Sequence, residues 1–317
     1  MNSKQLYILM FLLMALVLIQ DRQGWIFHSS EVSKSGSRIE STRIYSKSPG
    51  ELPATKYNKV QYKVGVALSG GGVKAFCHAG VLKALEEKGV HPEIISGVSA
   101  GAVIAALYAD GYSPDSILSI FSKVHFLEYF KFEIPDGGFL SMQGFKEYLD
   151  TLLHAETFEE LSIPIRIVAT DLDRGKSVVF ESGNLVDAIV ASCSVPILFS
   201  PYMIDGINYV DGGVLQNLPA SVIRDDCKVL IGVSGGPMDT DAYQKSIANV
   251  ALRSYKFIFR SNASSDKDLC DILIEPKGIG DVNSANVSKI GKIFDLGYDE
   301  TSELLKQENV KHLLEIK

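Results

Sequence analysis

Along the first sixty residues the apolar positions follow neither a helical nor a strand period; from Tyr62 onward they follow both in turn. "YKVGVAL" (62–68) has the length of a buried strand and runs into the glycine cluster "SGGG" (69–72). "VKAFCHAGVLKALEEKG" (73–89) then sets Ala75, Ala79, Leu82 and Leu85 at helical spacing, with Gly89 as the stop. "PEIISGV" (92–98) predicts a second strand, and "SAGAVIAALYADG" (99–111) a second helix ending at Gly111. Further strands are predicted at 164–170, 176–180, 227–233 and 271–276, with a hairpin over 202–210 turning at Asp205-Gly206. Helical stretches separate most of these, and no internal repeat is present. The alternation predicts an α/β fold, a mainly parallel sheet covered by helices on both faces.

The earlier residues divide in two. Residues 6–19, "LYILMFLLMALVLI", are an unbroken apolar run, short for a spanning helix and typical of a signal-peptide core or an interfacial segment. No A-x-A-like cleavage site comes after it, so an uncleaved membrane anchor is expected, with a cleaved signal as the alternative. Arg22, Lys34 and Arg38 lie on its C-terminal side, which leans toward the cytoplasmic face and leaves the side of the membrane open. Residues 28–60 are Ser-rich, with six Lys/Arg against three Asp/Glu, and read as a solvated basic linker suited to anionic lipid. The expected organisation is an anchor over 1–27, a linker over 28–60 and a catalytic domain over 61–317.

Composition adds exclusions. With 46% hydrophobic and 22% charged residues in 317, a sizeable core is expected. A net charge of −7 argues against nucleic acid as a partner. The four cysteines and six histidines are scattered without metal-ligand spacing, so neither a metal nor another cofactor is expected.

The pattern G-x-S-x-G occurs twice, as "GVSAG" (97–101) and "GVSGG" (232–236). Ser99 sits where an apolar strand gives way at once to a helix, the context of a nucleophile elbow, whose tight turn requires small residues at Gly97, Ala100 and Gly101. Ser234 also comes after a strand, but "GGPMDTDAY" beyond it reads as a loop. The stretch "SGGGVK" (69–74) ends a strand and opens a helix, so its N–H groups can converge on a small anion. It lacks both the G-x-G-x-x-G spacing and the G-x-x-x-x-G-K-S/T pattern of nucleotide loops. Lys74, a cation opposing the helix dipole, calls for an anion or an ion-pair partner. The base is less legible. His312 is the one histidine beyond residue 154 and lies in a polar tail; His78 comes after the glycine loop but reads as a packing residue. Asp211 and Asp171, the latter beside Asp173, both stand at predicted strand ends, and a buried aspartate can take a serine proton directly. Position alone leaves the two open.

The blocks "SGGGVKAFCHAGVLKALEEKGV" (69–90), "ISGVSAGAVIAALYADGYSPD" (95–115) and the stretch over 169–219 containing "VDGGVLQNLP" resemble, in this order, those of the patatin-like phospholipases. The likeness continues weakly to about residue 305. It implies a three-layer α/β/α fold and a lipid acyl hydrolase working through a Ser-Asp dyad. By this resemblance Ser99 is the nucleophile and Asp211 the base. Gly70, Gly71 and Gly72 supply the oxyanion hole, and Lys74 stands where the family carries Arg or Lys. Ala75 departs from the family pattern, where many members have Gly.

Residues 120–145 are dense in Phe, Tyr and Leu, which suits an acyl-chain groove or a cover over the site. With the anchor and basic linker, the expected partner is a lipid substrate at a membrane surface. Two other readings stay open: a triad esterase or thioesterase of α/β-hydrolase type using His312, and a membrane-tethered module that binds lipid without turnover.

Overall fold

A computed structural model describes residues 62–123, 131–132, 138–235, 247–281 and 289–316, all within the unit Tyr57–Lys317. The expected anchor and linker, and residues 124–130 and 133–137 of the aromatic-rich segment 120–145, lie outside the described residues.

The strands are β1 (Tyr62–Leu68), β2 (Ile94–Val98), β3 (Lys131–Phe132), β4 (Gly138–Ser141), β5 (Ile165–Asp171), β6 (Lys176–Phe180), β7 (Ile197–Phe199), β8 (Tyr202–Ile204), β9 (Ile207–Asp211), β10 (Cys227–Val233) and β11 (Ile272–Ile274). The helices are α1 (Phe76–Glu87), α2 (Ala100–Ala109), α3 (Pro114–Lys123), α4 (Gln143–Leu152), α5 (Leu185–Cys193), α6 (Ile247–Asn262), α7 (Ser264–Lys267), α8 (Ile290–Leu304) and α9 (Glu308–Leu314). The main sheet runs β11-β10-β1-β2-β5-β9-β8, with β6 also on β5. Its β11-to-β5 part is parallel, as predicted; β6 and the β8–β9 hairpin join it antiparallel. Asp205 and Gly206 both take positive φ (51° and 77°), the backbone that a two-residue hairpin turn requires. A small second sheet, β3-β4-β7, was not foreseen from the pattern.

Alternation along the parallel strands sorts their side chains to two faces. Val66, Leu68, Ile95, Ile231 and Val233 face a thick helical cover that includes α1, α2, α5 and α8. Ala67, Ile94 and Leu230 face a thinner one, made by Leu218, Ala220, Ile223 and Ala263. The fold is α/β with the sheet between two covers. Each fully buried Leu or Ile contributes roughly 2 kcal/mol, and Leu82, Leu85, Ile95, Ile104 and Leu107 are of this kind. Helices α1 and α8 meet backbone to backbone: a Cβ on Gly80 would lie 2.0 Å from the Phe294 carbonyl oxygen, and one on Gly297 would lie 2.1 Å from that of Cys77. This contact clamps the helix next to the glycine loop.

Candidate active site

Strand β2 ends at Val98 and α2 begins at Ala100, leaving Ser99 alone in the turn with φ 53° and ψ −128°. Such backbone costs a residue with a side chain on the order of 1–3 kcal/mol and persists only where its surroundings impose it. Here they do. The Ser99 N–H donates to Ser192 Oγ at 2.8 Å, and the Ser192 hydroxyl donates onward to the Val168 carbonyl at 2.6 Å. The Ser99 carbonyl accepts from the Ala102 N–H at 2.9 Å. The tightness expected of the flanking residues is met: a Cβ on Gly101 would stand 2.4 Å from the Leu68 carbonyl oxygen, and one on Gly97 2.8 Å from that of Gly101.

Asp211 reaches the same end of the sheet by long-range pairing. Val98 of β2 is level with Val168, while Asp211 of β9 is level with Ala169 on the other side of β5. Ser99, one residue past Val98, and Asp211 therefore flank one strand end. Asp211 is fully buried. Its Oδ1 accepts from the Gly213 N–H at 2.8 Å, and its Oδ2 has no partner among the described residues. Burial pushes the carboxyl up to about 7, against the pull of the Ser99 hydroxyl and the Gly213 N–H. The Ser99 hydroxyl is thus near enough to act on the carboxyl, yet it makes no well-formed hydrogen bond to Oδ2.

The glycine loop lies on the third side. Ser69 is tied down by its N–H to Val233 (3.0 Å), by the Gly235 N–H to its hydroxyl (2.9 Å) and by His78 Nε2 against its carbonyl oxygen (2.8 Å). A Cβ on Gly70 would sit 3.2 Å from Ser99 Cβ and 2.5 Å from Asn217 Oδ1, so the loop borders the serine closely. Gly70 differs from expectation in one respect: its N–H donates to the Asn217 carbonyl oxygen (3.2 Å). The N–H groups of Gly71 and Gly72 have no partner among the described residues. Lys74 is buried in the 3-10 turn Gly72–Ala75, which precedes α1 and replaces the expected first α-turn; Ala75 is fully buried.

With this geometry in view, the sequence matches the Patatin-like phospholipase family model over residues 66–224, which spans the end of β1, the glycine loop, Ser99 and Asp211. The chain belongs to the patatin-like phospholipase family. Proteins of this family are generally lipid acyl hydrolases. The chain is 32% identical over 178 residues to an uncharacterized NTE family protein of Mycobacterium tuberculosis, covering 55% of this chain and 49% of that protein. It is 31% identical over 192 residues to human patatin-like phospholipase domain-containing protein 6, covering 56% of this chain and 14% of that protein. The chain thus spans about half the length of the mycobacterial relative and a small part of the human one. Among solved structures, VipD from Legionella pneumophila matches with a TM-score of 0.46 and 17% identity, covering 78% of this chain and 67% of that chain.

The other candidates in this patatin-like domain stand differently. Asp171, the rival carboxylate, is buried, but burial is outweighed by Arg174, whose guanidinium (3.0 Å) and backbone N–H (2.9 Å) hold its carboxyl below the usual range. Asp173 accepts from the Asn208 N–H at 2.9 Å in the neighbouring turn. Burial lowers the His78 pKa to about 4, with the Ser69 carbonyl opposing, so His78 is a neutral packing residue that props the glycine loop. His312 is exposed on α9. Just past that helix, Glu315 pairs with Lys63 (4.0 Å) at the start of β1, the opposite end of the strand from the loop. Ser234 is buried with its N–H on the Ile274 carbonyl (3.0 Å), and its neighbour Gly235 braces Ser69. The second pentapeptide supports the loop beside the first.

Three residues of the site were not foreseen. Ser192 holds the Ser99 turn, Asn217 lies between the glycine loop and Gly213, and the Tyr255 hydroxyl is buried without a partner among the described residues. Burial, then the charge of Asp211, raises the Tyr255 phenol far above its ordinary value. Asn217 could have been suspected from its place six residues after Asp211; Ser192 and Tyr255 carry no signal in the chain.

Proposed function

We propose that the chain is a serine hydrolase that cleaves fatty-acyl esters of phospholipids, lysophospholipids or related lipids through an acyl-enzyme on Ser99, with Asp211 as base. The observation that carries this reading is the pairing of a strained, buried serine with a buried carboxyl whose pKa is raised to about 7 and whose Oδ2 lacks a partner among the described residues. A base poised near neutrality accepts and returns a proton with least driving force wasted in either direction. Asp211 takes the Ser99 proton as Oγ bonds to the ester carbonyl carbon, and the N–H groups of Gly71 and Gly72 face the oxyanion. Collapse breaks the ester C–O bond, and Asp211 returns the proton to the leaving alcohol. Water then gives a proton to Asp211 and attacks the acyl-enzyme; collapse releases the fatty acid and restores the Ser99 hydroxyl.

In this reading residues 61–317 are the catalytic domain and 6–19 hold it at a membrane. Among the described residues no helix is long and apolar enough to cross one. The test is fluorophosphonate labelling of the full chain beside Ser99→Ala and Ser234→Ala, with lysophospholipid and graded esters as substrates. Labelling and turnover lost in Ser99→Ala alone are expected. Labelling that survives in Ser99→Ala overturns the assignment.

A further inference from the structure

Helix α6 (Ile247–Asn262) has two working faces. Its inner face reaches the site: Phe259 comes within 2.7 Å of a Cβ built on Gly213, Tyr255 packs on Phe259 (ring centroids 4.1 Å apart), and Asn262 Nδ2 donates to the Val214 carbonyl. Gly213 is the residue whose N–H holds Asp211 Oδ1. Its outer face carries apolar groups in the open. Val250, Phe257 and Ile258 are 46%, 52% and 45% exposed, and Arg253 lies 5.9 Å from the Phe257 ring centroid. Leu215, one residue past the carbonyl that Asn262 holds, is 41% exposed.

The charge on this helix runs against the rest of the molecule. Residues 247–262 contain Arg253, Lys256 and Arg260 and no Asp or Glu, in a chain whose net charge is −7. Exposed apolar side chains spaced i, i+7 between cations, on a helix otherwise packed inward, match the composition of helices that lie in the plane of a lipid surface. Together the exposed apolar groups suit acyl chains and the cations suit a surface of anionic headgroups.

We propose that the outer face of α6 docks on an anionic lipid surface and that the helix thereby joins membrane contact to the Asp211 loop. The proposal rests on the lipid-hydrolase reading, but it concerns a surface separate from Ser99. Docking seats Phe257, Ile258 and Val250 among acyl chains while the exposed Arg260 meets headgroup phosphates and Arg253 adds to the positive field of the helix. Because the same helix packs on Gly213, its seating bears on the loop that holds the base.

The experiment is hydrogen–deuterium exchange of the full chain with vesicles of phosphatidylcholine alone or with phosphatidylglycerol added. Phospholipid turnover in those vesicles and hydrolysis of a soluble short-chain ester are measured alongside. Protection over 247–262 is expected on the phosphatidylglycerol vesicles only. Arg253→Glu with Arg260→Glu should abolish that protection and lower vesicle turnover about tenfold or more, at about fivefold per cation, with soluble-ester hydrolysis unchanged. Phe257→Ser, which removes no charge, should also lower vesicle turnover and spare the soluble ester. Equal protection on both vesicle types, no protection on either, or full vesicle turnover in the double variant would overturn the proposal; absence on both would assign the face to an acidic protein instead. Protection without hydrolysis of any ester would leave the docking surface standing and remove the hydrolase reading.

Discussion

The Ser192 hydroxyl receives the Ser99 N–H at 2.8 Å and passes its own hydrogen to Val168 at 2.6 Å, so one side chain from α5 pins the turn between β2 and α2 to β5. The positive φ of Ser99 depends on this brace. Replacing Ser192 by Ala leaves a buried N–H unpaired, a cost of about 1–3 kcal/mol. The expected outcome is a lower melting temperature together with a fall in kcat at little-changed KM, because Ser192 positions Ser99 without touching substrate. Ser192→Thr, which keeps the hydroxyl, should recover most of both. A Ser192→Ala enzyme with full kcat would show that the turn holds itself.

Asp211 sets the pH dependence of the proposed reaction. As base it must be ionised, and burial places its pKa at about 7. Ester hydrolysis should therefore rise about tenfold per pH unit below 7 and level off above about 8. Asp211→Asn keeps an acceptor for the Gly213 N–H and loses the base, so turnover should fall to background across the whole range. Retention of wild-type kcat in this variant would remove Asp211 from the mechanism.

Two buried groups give opposite stability slopes. The folded Asp211 carboxyl binds more protons than the unfolded one between 3.8 and about 7, so its contribution to stability is lost as pH rises through that window. His78, with its pKa lowered from 6.5 to about 4, contributes stability that is present above 6.5 and lost as pH falls toward 4. In the wild type the two oppose each other over nearly the same interval. In Asp211→Asn only His78 remains, so that variant should gain stability from pH 4.5 to 7.5 by a few kcal/mol more than the wild type does. Urea unfolding at the two pH values measures the difference; parallel behaviour of the two proteins would contradict it.

Gly101 and Gly291 make a matched pair of helix glycines. A Cβ at Gly101 meets the carbonyl oxygens of Leu68 and Ser69 at 2.4 and 2.5 Å, and these are backbone atoms that cannot swing aside. Gly101→Ala should cost about 3 kcal/mol or more and displace the glycine loop from Ser99. Gly291, on α8, has nothing within 4 Å of such a Cβ. Gly291→Ala should stabilise by about 0.5–1 kcal/mol. Thermal unfolding of both variants gives the sign in each case.

Much of this architecture is written locally. The apolar runs at 62–68, 92–98 and 227–233 and the helical period of 73–89 foretell the parallel strands and α1, because strand and helix periods depend on neighbours a few residues apart. Ser99 is distinguished from Ser234 as the elbow serine by the residues on its C-terminal side, a helix of small residues in one case and turn residues in the other. Asp205-Gly206 announces its hairpin for the same reason. The two aspartates cannot be told apart in this way, since both end strands. They are separated by their partners: Arg174, three residues along, lies on Asp171, whereas long-range pairing of β9 with β5 carries Asp211 to a buried position beside Ser99. Ser192, Asn217 and Tyr255 belong to the site through the same kind of contact, made across the packed ends of β2, β5 and β9. Local chemistry in the sequence determined which elements form and where a serine stands in a tight turn between a strand and a helix. Only the tertiary structure decided which buried carboxyl stands beside Ser99 with no cation on it among the described residues, because the position of Asp211 follows from strand pairing rather than from its neighbours along the chain.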